Sequence, residues 1–238
     1  MLRMTVDSEA ALVDMWPPFG LRIAARDDRH EIAVRVLRDE DVARIAGVGV
    51  HDVYGDDVPE HAFPWVFHNS PQSSVQHRWF NRANLSSEEW SLDFLVTAGG
   101  EPIGVVDMRS SDFAHTREVS TGSWVFHRFQ GQGFGTLVRH AVAQFCFDHL
   151  GAASIASDWV VGNAASESVS RKLGYELLPD DGETTPCGPE GKPRPVRRGR
   201  LRAADYTPAA RVECAGLTPQ LRTMLGACAR GRPERAPT

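Results

Sequence analysis

The stretch that decides the fold is Gln130-Gly131-Gln132-Gly133-Phe134-Gly135-Thr136. Before it, alternating residues from Glu118 to His127 predict a strand, and after it apolar residues recur at helical spacing. Alternating glycines at a strand-to-helix junction leave backbone N–H groups unpaired at the helix N-terminus, where the helix dipole also favours negative charge. The stretch therefore predicts a loop that binds an anion.

The spacing of the glycines narrows the kind of anion. A Walker loop ends in Gly-Lys-Ser/Thr, and no lysine follows the glycines here. A dinucleotide-binding loop would need glycine at Thr136, or at Val138 in the alternative register, and neither position has one. The pattern that remains is Gln-x-x-Gly-x-Gly, and a plain loop without a ligand is the alternative interpretation.

A second motif lies downstream, beyond a predicted strand at Ala153–Val160. It consists of Asn163-Ala164-Ala165-Ser166 followed by Ser170-Arg171-Lys172-Leu173-Gly174-Tyr175. With Gln-x-x-Gly-x-Gly ahead of it, this order of motifs resembles the GCN5-related N-acetyltransferase (GNAT) superfamily. The segment Thr121-Gly122-Ser123-Trp124 is similar to the Rim type of ribosomal-protein N-terminal acetyltransferases, and the resemblance covers about residues 20–205.

The resemblance implies an α/β (α+β) fold with a central mixed, mostly antiparallel sheet flanked by helices. We expect one GNAT acyltransferase domain at residues 1–205, including an N-terminal extension. Residues 206–238 are then a C-terminal tail, whose Pro-, Gly- and Arg-rich end is predicted to be disordered.

Acetyl-CoA is the co-substrate that the resemblance implies, with another acyl-CoA such as succinyl-CoA as the alternative, and no metal. In the family the glycine loop holds the pyrophosphate, the preceding strand polarises the thioester carbonyl, and the later helix lines the pantetheine arm. The residues expected to contact the cofactor are therefore Val125, Phe126, His127, Gln130, Gly131, Gln132, Gly133, Phe134, Gly135, Thr136, Asn163, Ser166 and Ser170.

The resemblance leaves the catalytic base open. Rim-type enzymes usually carry a glutamate four residues before the tryptophan, and this chain has Ser120 there, which cannot serve as that base. Glu118 lies on the same face of the predicted strand and is the substitute, unless it pairs with Arg117 or another surface cation. Ser166 is the candidate proton donor to the CoA thiolate. A CoA-binding sensor or interaction protein that has lost its base is the rival function.

The composition of the chain limits the classes of partner that we expect it to bind. The net charge of −5 argues against a general nucleic-acid or membrane binder. The expected acceptor is an amine, on a protein N-terminus, a lysine or a small molecule, and a homodimer is left open. The four cysteines show no C-x-x-C spacing and no secretory leader is visible, which indicates reduced thiols in a cytoplasmic protein.

Two further groups of residues invite a functional interpretation. His51, His61, His68 and His77 have irregular spacing, so a metal site is not predicted from them. Arg198, Arg200 and Arg202 share one face of a predicted last strand at Val196–Ala203. They indicate either a surface for an acidic acceptor or nucleic acid, or a charged edge strand, and the second interpretation is favoured.

The remaining elements follow from local patterns. A hairpin is expected from Leu92 to Met108 around the turn Gly99-Gly100, and a first strand is expected at Ile32–Val36. Asp39 should begin a helix, Trp16 to Gly20 reads as a loop, and Pro179–Pro195 reads as a long exposed loop.

Overall fold

The computed structural model of the chain describes residues 6–227, with side chains from residue 9 onward. In this part of the chain ten strands form one open sheet. They are β1 Arg22–Arg26, β2 Glu31–Val36, β3 Glu89–Ala98, β4 Glu101–Ser111, β5 Glu118–Val125, β6 Ser154–Val160, β7 Glu176–Leu177, β8 Thr184–Cys187, β9 Lys192–Arg202 and β10 Arg211–Ala215.

The strand order is β10-β1-β2-β3-β4-β5-β6-β9-β7, and β8 pairs with β9 outside this path. Neighbours are antiparallel, except that β5 and β6 run parallel. The mixed, mostly antiparallel sheet that the sequence predicted is therefore confirmed.

Helices cover both faces of this sheet. They are α1 Val6–Met15, α2 Asp39–Ile45, α3 Val50–Tyr54, α4 Trp65–His68, α5 Pro71–Ala83, α6 Phe113–Thr116, α7 Phe134–Gln144, α8 Ala164–Leu173 and α9 Pro219–Met224, with 3-10 turns at Pro17–Gly20 and His127–Phe129 and a π-helical extension of α7 at Phe145–Leu150. The apolar face of α7 packs in the larger core cluster, which Leu137 and Val138 enter. Val42 of α2, Val53 of α3 and Val66 of α4 belong to a second cluster on the other face.

The succession β5, glycine loop, α7, β6 and α8 follows the sequence prediction. Strand β5 buries Val119 and Thr121 on the α7 side, while Trp124 packs against the second cluster. Gly133 precedes α7 with a φ of 104°, a left-handed conformation that favours glycine. The predicted hairpin is also present, and Gly99 and Gly100 make its turn between β3 and β4 with φ values of 57° and 82°.

The C-terminal segment departs from the prediction. Strand β10 adds to the outer edge of β1, and Leu221 and Leu225 are buried in the main core. Trp90 donates its indole N–H to the carbonyl of Leu225 over 3.0 Å. Part of the segment that the sequence assigned to a C-terminal tail therefore contributes to the sheet and to the core. The end of the tail, which was predicted to be disordered, and Cys228 lie outside the described residues.

Other local predictions also change. The first strand along the chain is β1, whose short sequence Arg-Ile-Ala-Ala-Arg did not lead to the prediction of a strand. The predicted loop at 16–20 contains a 3-10 turn, and the predicted loop at 179–195 contains β8. Within residues 6–227, no helix combines the length and the apolar character needed to span a membrane.

Candidate active site

The central feature of the site is a gap in the sheet between β5 and β6. These parallel strands pair only at Glu118–Ser120 with Ser154–Ala156. Beyond that point β5 stays paired with β4 as far as Val125, and β6 stays paired with β9 as far as Val160. The two strands therefore diverge and open a wedge, which we call the β5–β6 wedge, whose wide end faces the glycine loop.

The glycine loop lies at the start of α7. Gly131 and Gly133 have positive φ values, and residues 131–133 are exposed. The first backbone donations of the helix come from Thr136 and Leu137 to the Gly133 carbonyl. The N–H groups ahead of them are thus left for a ligand at the positive end of the helix dipole, which suits an anion.

The side chains of this loop hold the loop itself. Gln130 Nε2 donates to the Val53 carbonyl of α3 over 2.6 Å and to the Val125 carbonyl of β5 over 2.8 Å. Gln132 Nε2 donates to the Arg128 carbonyl over 2.7 Å. The sequence assigned both glutamines to the cofactor, but in the structure their side chains hold the loop through these hydrogen bonds. The loop therefore presents its backbone to a ligand.

His30, in the turn between β1 and β2, supports the loop from the other side. Its Nε2 lies 2.9 Å from the Gln132 carbonyl, and its ring lies 4.2 Å from the ring of Phe134. The backbone N–H of His30 is bound in turn by the Asp27 carboxylate over 2.7 Å. Sequence reasoning missed this contact, because more than a hundred residues separate the two segments.

The exposed edge of β5 offers fewer donors than predicted. Phe126 was one of three residues expected to polarise a thioester carbonyl, but its N–H donates to Ile103 on the β4 side over 2.9 Å. Because N–H groups alternate along a strand, those of Val125 and Ser123 point to the opposite edge, into the wedge. The Phe126 N–H is therefore occupied within the sheet, whereas the N–H groups of Ser123 and Val125 are directed to the wedge.

Arg139 of α7 crosses the wedge at its narrow end. The side chain is buried, and its guanidinium donates to Thr121 Oγ1 of β5 and, over 2.7 Å, to Ser157 Oγ of β6. These are the first buried hydroxyls beyond the last paired residues of the two strands. Arg139 lies four residues after Gly135 and three before Val142, on the buried side of the helix. A charge at that spacing was a signal in the sequence that our prediction did not use.

Helix α8 borders the wedge with a polar face. Asn163 caps the helix, since its Oδ1 accepts from the Ser166 N–H over 3.1 Å. Ser166 is partly buried, whereas Ser170 is fully buried and its Oγ has no hydrogen-bond partner among the described residues. Arg171 forms the predicted helix-surface pair with Glu167 over 2.6 Å.

The predicted base does not lie free in the site. Glu118 Oε2 is 3.0 Å from Arg200 Nε and accepts from Ser154 Oγ over 2.9 Å, at the closed end of the wedge. The alternative that Glu118 pairs with a surface cation is therefore what the structure shows, and Arg200 is such a cation. Ser120 lies between Arg109 of β4 and Ala156 of β6 in register.

The basic face of β9 is neutralised by ion pairs. Arg198 contacts Asp158, Asp181 and Glu183, and Arg202 contacts Glu176 and Asp205. Together with the Glu118–Arg200 pair, these contacts leave the face poorly suited to an acidic partner. Strand β9 also has neighbours on both sides, so it is not the simple edge strand that was predicted.

The histidines between residues 51 and 77 have separate contacts. His51 Nδ1 lies 3.0 Å from the Gly55 carbonyl, and His68 Nε2 lies 2.9 Å from the Pro189 carbonyl. His77 contacts Asn81 over 3.2 Å. Over residues 6–227, three or more His, Cys, Asp or Glu side chains are nowhere grouped as metal ligands.

A comparison with protein-family models supports the resemblance found in the sequence. The model described as "Acetyltransferase (GNAT) domain" matches residues 19–176. This match spans most of the sheet, the glycine loop and α8.

Solved structures with the same fold include several acetyltransferases. RimJ of Mycobacterium smegmatis, in complex with CoA-disulfide, is 19% identical over 79% of this chain and 89% of its own, with a TM-score of 0.64. A Salmonella typhimurium acetyltransferase that modifies the N-terminal serine of ribosomal protein L7/L12 is 16% identical over 72% and 94%, with a TM-score of 0.60. Spermidine N-acetyltransferase of Vibrio cholerae, in complex with CoA and spermine, is 14% identical over 74% and 97%, with a TM-score of 0.54.

Proposed function

The chain belongs to the GNAT acetyltransferase family, and we propose that it transfers an acetyl group from acetyl-CoA to a primary amine. The transfer is direct, within a ternary complex of protein, acetyl-CoA and acceptor. The observation that carries the proposal is the β5–β6 wedge, with the glycine loop at its wide end. A long, thin thioester substrate with an anionic end fits such an opening between two strands.

Each part of the wedge has a role in the transfer. The N-terminus of α7 binds the pyrophosphate through backbone N–H groups. The N–H groups of Ser123 and Val125 stabilise the negative charge that develops on the thioester oxygen. Ser166 and Ser170 are the hydroxyls available to hydrogen-bond the departing thiolate. Burial raises the pKa of the Cys146 thiol, so that cysteine is unsuited to a covalent intermediate.

The acceptor is proposed to be a protein N-terminus, a lysine or a small amine. Proteins with this fold include one that modifies an N-terminal serine and one that is a spermidine N-acetyltransferase. Acetyl-CoA is the expected donor, and succinyl-CoA is the alternative. Arg139 is a buried cation at the wedge that would attract the succinyl carboxylate. The free thiols of Cys146 and Cys187 support a cytoplasmic location. The homodimer stays a prediction that analytical ultracentrifugation can test.

Gly135→Trp tests the assignment of the glycine loop. Gly135 does not need the left-handed conformation, and a Cβ there would meet only Val169 Cγ2, at 3.9 Å. The fold should therefore accept the side chain, while a pyrophosphate at the helix N-terminus should be excluded. Gly47→Trp is the matched control, because Gly47 is exposed, lacks a positive φ and has no atom within 4 Å of an added Cβ.

Acetyl-CoA binding by calorimetry should be lost in Gly135→Trp, retained in Gly47→Trp, and the melting temperature of both should stay near that of the wild type. Turnover is then measured as CoA release with acetyl-, propionyl- and succinyl-CoA against spermidine, a lysine peptide and a peptide with a free N-terminal serine. Unchanged affinity in Gly135→Trp contradicts the loop assignment. Tight binding without CoA release for any acceptor favours the CoA-sensor alternative.

A further inference from the structure

A row of residues crosses the three strands beside the β5–β6 wedge. Asp93 of β3 is registered opposite Asp107 of β4, and Asp107 is registered opposite Gly122 of β5. Directly opposed residues project to the same face of a sheet, with their Cβ positions about 5 Å apart. Val105, two residues before Asp107, belongs to the second core cluster. The row therefore lies on the face covered by α2 to α5, opposite α7.

Because Gly122 has no side chain, the Asp107 carboxylate can lie against β5. A Cβ atom at residue 122 would lie 2.5 Å from Asp107 Oδ1, so a side chain there would displace the carboxylate. Gly122 does not have a positive φ, which means that its backbone conformation does not require glycine. The space beside β5 that a side chain would fill is thus occupied by an acid from the neighbouring strand.

Charged and polar groups approach Asp107 from four elements. Arg109 Nη1, on the same strand, donates to Asp107 Oδ2 over 2.6 Å, and the Gly122 N–H of β5 also donates to the carboxylate. Asp93 of β3 and Arg139 of α7, which lies on the other face of the sheet, act on Asp107 through their charges. Burial raises the pKa of Asp107, and Asp93 adds to the rise against the two arginines. The side chain still has 25% of its surface exposed, so it can meet a substrate or a water molecule.

The other carboxylates of this face are less suited to proton transfer in the wedge. Glu118 lies at the closed end of the wedge, where β5 is still paired with β6 through Ser154. Asp93 lies one strand farther from the wedge and accepts from Asn81 Nδ2 over 3.1 Å. Asp107 contacts β5 itself at Gly122, two residues beyond the last residue of β5 that pairs with β6.

We propose that Asp107 is the general base of the transfer and that Gly122 makes room for it, in place of the glutamate that a Rim-type enzyme carries at the position of Ser120. This inference rests on the function proposed above. The carboxylate takes one proton from the ammonium form of the acceptor, directly or through one water, and later passes it to solvent. The free amine forms the N–C bond to the thioester carbon, the C–S bond breaks, and a second proton from nitrogen goes to the CoA thiolate.

Asp107→Asn is the direct test, because asparagine keeps the shape and an acceptor oxygen but cannot take the proton. With acetyl-CoA and the best acceptor from the amine panel, kcat/KM at neutral pH should fall about 10²- to 10³-fold, while the Kd for acetyl-CoA stays within about threefold. Asp107→Glu should recover at least about tenfold of that rate. Glu213→Gln, an exposed carboxylate paired with Arg211 on the remote strand β10, is the control and should match the wild type.

The pH dependence distinguishes a base from a structural role. Without a base the rate follows the free-amine fraction, which rises about tenfold per pH unit below the pKa of the amine. The deficit of Asp107→Asn should therefore shrink as the pH approaches that pKa, whereas a merely distorted site would be slower by the same factor throughout. Wild-type kinetics in Asp107→Asn, a deficit that does not vary with pH, or a larger loss in Glu118→Gln would each overturn the assignment.

The titration of Asp107 by carboxyl ¹³C NMR adds a measurement that needs no turnover. A carboxyl pKa clearly above that of ordinary aspartates supports the assignment, and an ordinary value overturns it. If the wild type releases no CoA with any acceptor, the proposed function fails, and this titration still decides whether Asp107 has the properties of a base.

Discussion

Arg139→Met tests whether one buried side chain holds the β5–β6 wedge at its narrow end. Only 6% of Arg139 is exposed, and its guanidinium donates to a hydroxyl on each of the two strands. Methionine has a similar length and packs in apolar surroundings, but it donates no hydrogen bond. The substitution therefore removes the link between the strands while it leaves the core filled.

The expected loss of stability follows from the two hydroxyls. Thr121 and Ser157 are each 2% exposed, so water does not replace the lost donor. An unsatisfied buried polar group costs about 1–3 kcal/mol, which gives about 2–6 kcal/mol for the pair. Removing a buried charge that has hydroxyl partners offsets part of this cost. We expect a net loss of about 2–3 kcal/mol, or about 4–12 °C in Tm for a chain of this size.

The assay combines thermal unfolding with calorimetric titration of acetyl-CoA. Affinity should fall at least about tenfold, because the strands lose the contact that fixes their separation. Arg171→Met, at an exposed position on α8, should change stability by no more than about 0.5 kcal/mol. Adding Thr121→Val and Ser157→Ala to Arg139→Met should restore part of the lost stability, since neither strand then buries an unpaired hydroxyl.

Two results would refute this reasoning. An unchanged Tm would show that the two hydroxyls do not depend on Arg139. A lowered Tm with an unchanged affinity would show that the bridge stabilises the fold without setting the geometry of the wedge.

Other residues of the site make separate predictions. If Ser166 protonates the thiolate, Ser166→Ala should lower kcat about 10- to 10³-fold with little change in acetyl-CoA affinity. If Ser170→Ala shows that loss and Ser166→Ala does not, the buried hydroxyl of Ser170 is the proton donor. Gln130→Ala should weaken acetyl-CoA binding several-fold by calorimetry, because the loop loses two hydrogen bonds to α3 and β5, and an unchanged Kd would contradict that role. The raised pKa of Asp107 means that its stabilising contribution is present below the unfolded pKa and is lost as pH rises through the folded pKa. Asp107→Asn should therefore melt at or above the wild-type temperature at neutral pH, and this difference should diminish in acid; a variant that melts well below wild type at neutral pH would contradict it.

The parts of the fold that the sequence predicted are those set by local patterns. Three such patterns are the glycines before α7, the turn at Gly99 and Gly100, and the cap at Asn163. Each requires a particular backbone conformation or hydrogen bond close to its own position. The order of the glycine loop and the Asn163 motif along the chain was enough to indicate the family. Strand β10 was missed because its alternation is weak, and it becomes a strand by pairing with the edge of β1.

The catalytic candidates were harder to predict because strand register determines which acid faces the site. From the sequence, Glu118 and Ser120 were the candidates on β5, and the partner strand was not considered. In the structure, Asp107 of β4 lies against Gly122, and Glu118 forms an ion pair with Arg200. A base supplied from the neighbouring strand leaves no trace in the motif that surrounds the missing glutamate.

The pairing of β10 with β1 affects how the chain is made. The outer partners of β1, from Arg211 to Ala215, are synthesised nearly two hundred residues after β1 itself. Until then the nascent sheet exposes an unpaired edge of backbone N–H and C=O groups, which is a template for association with other chains. Such distant pairing also slows folding, because a long loop must close first. Until residues 211–215 have been added, the nascent chain is thus vulnerable to aggregation, because most of the sheet exists and its edge is still open.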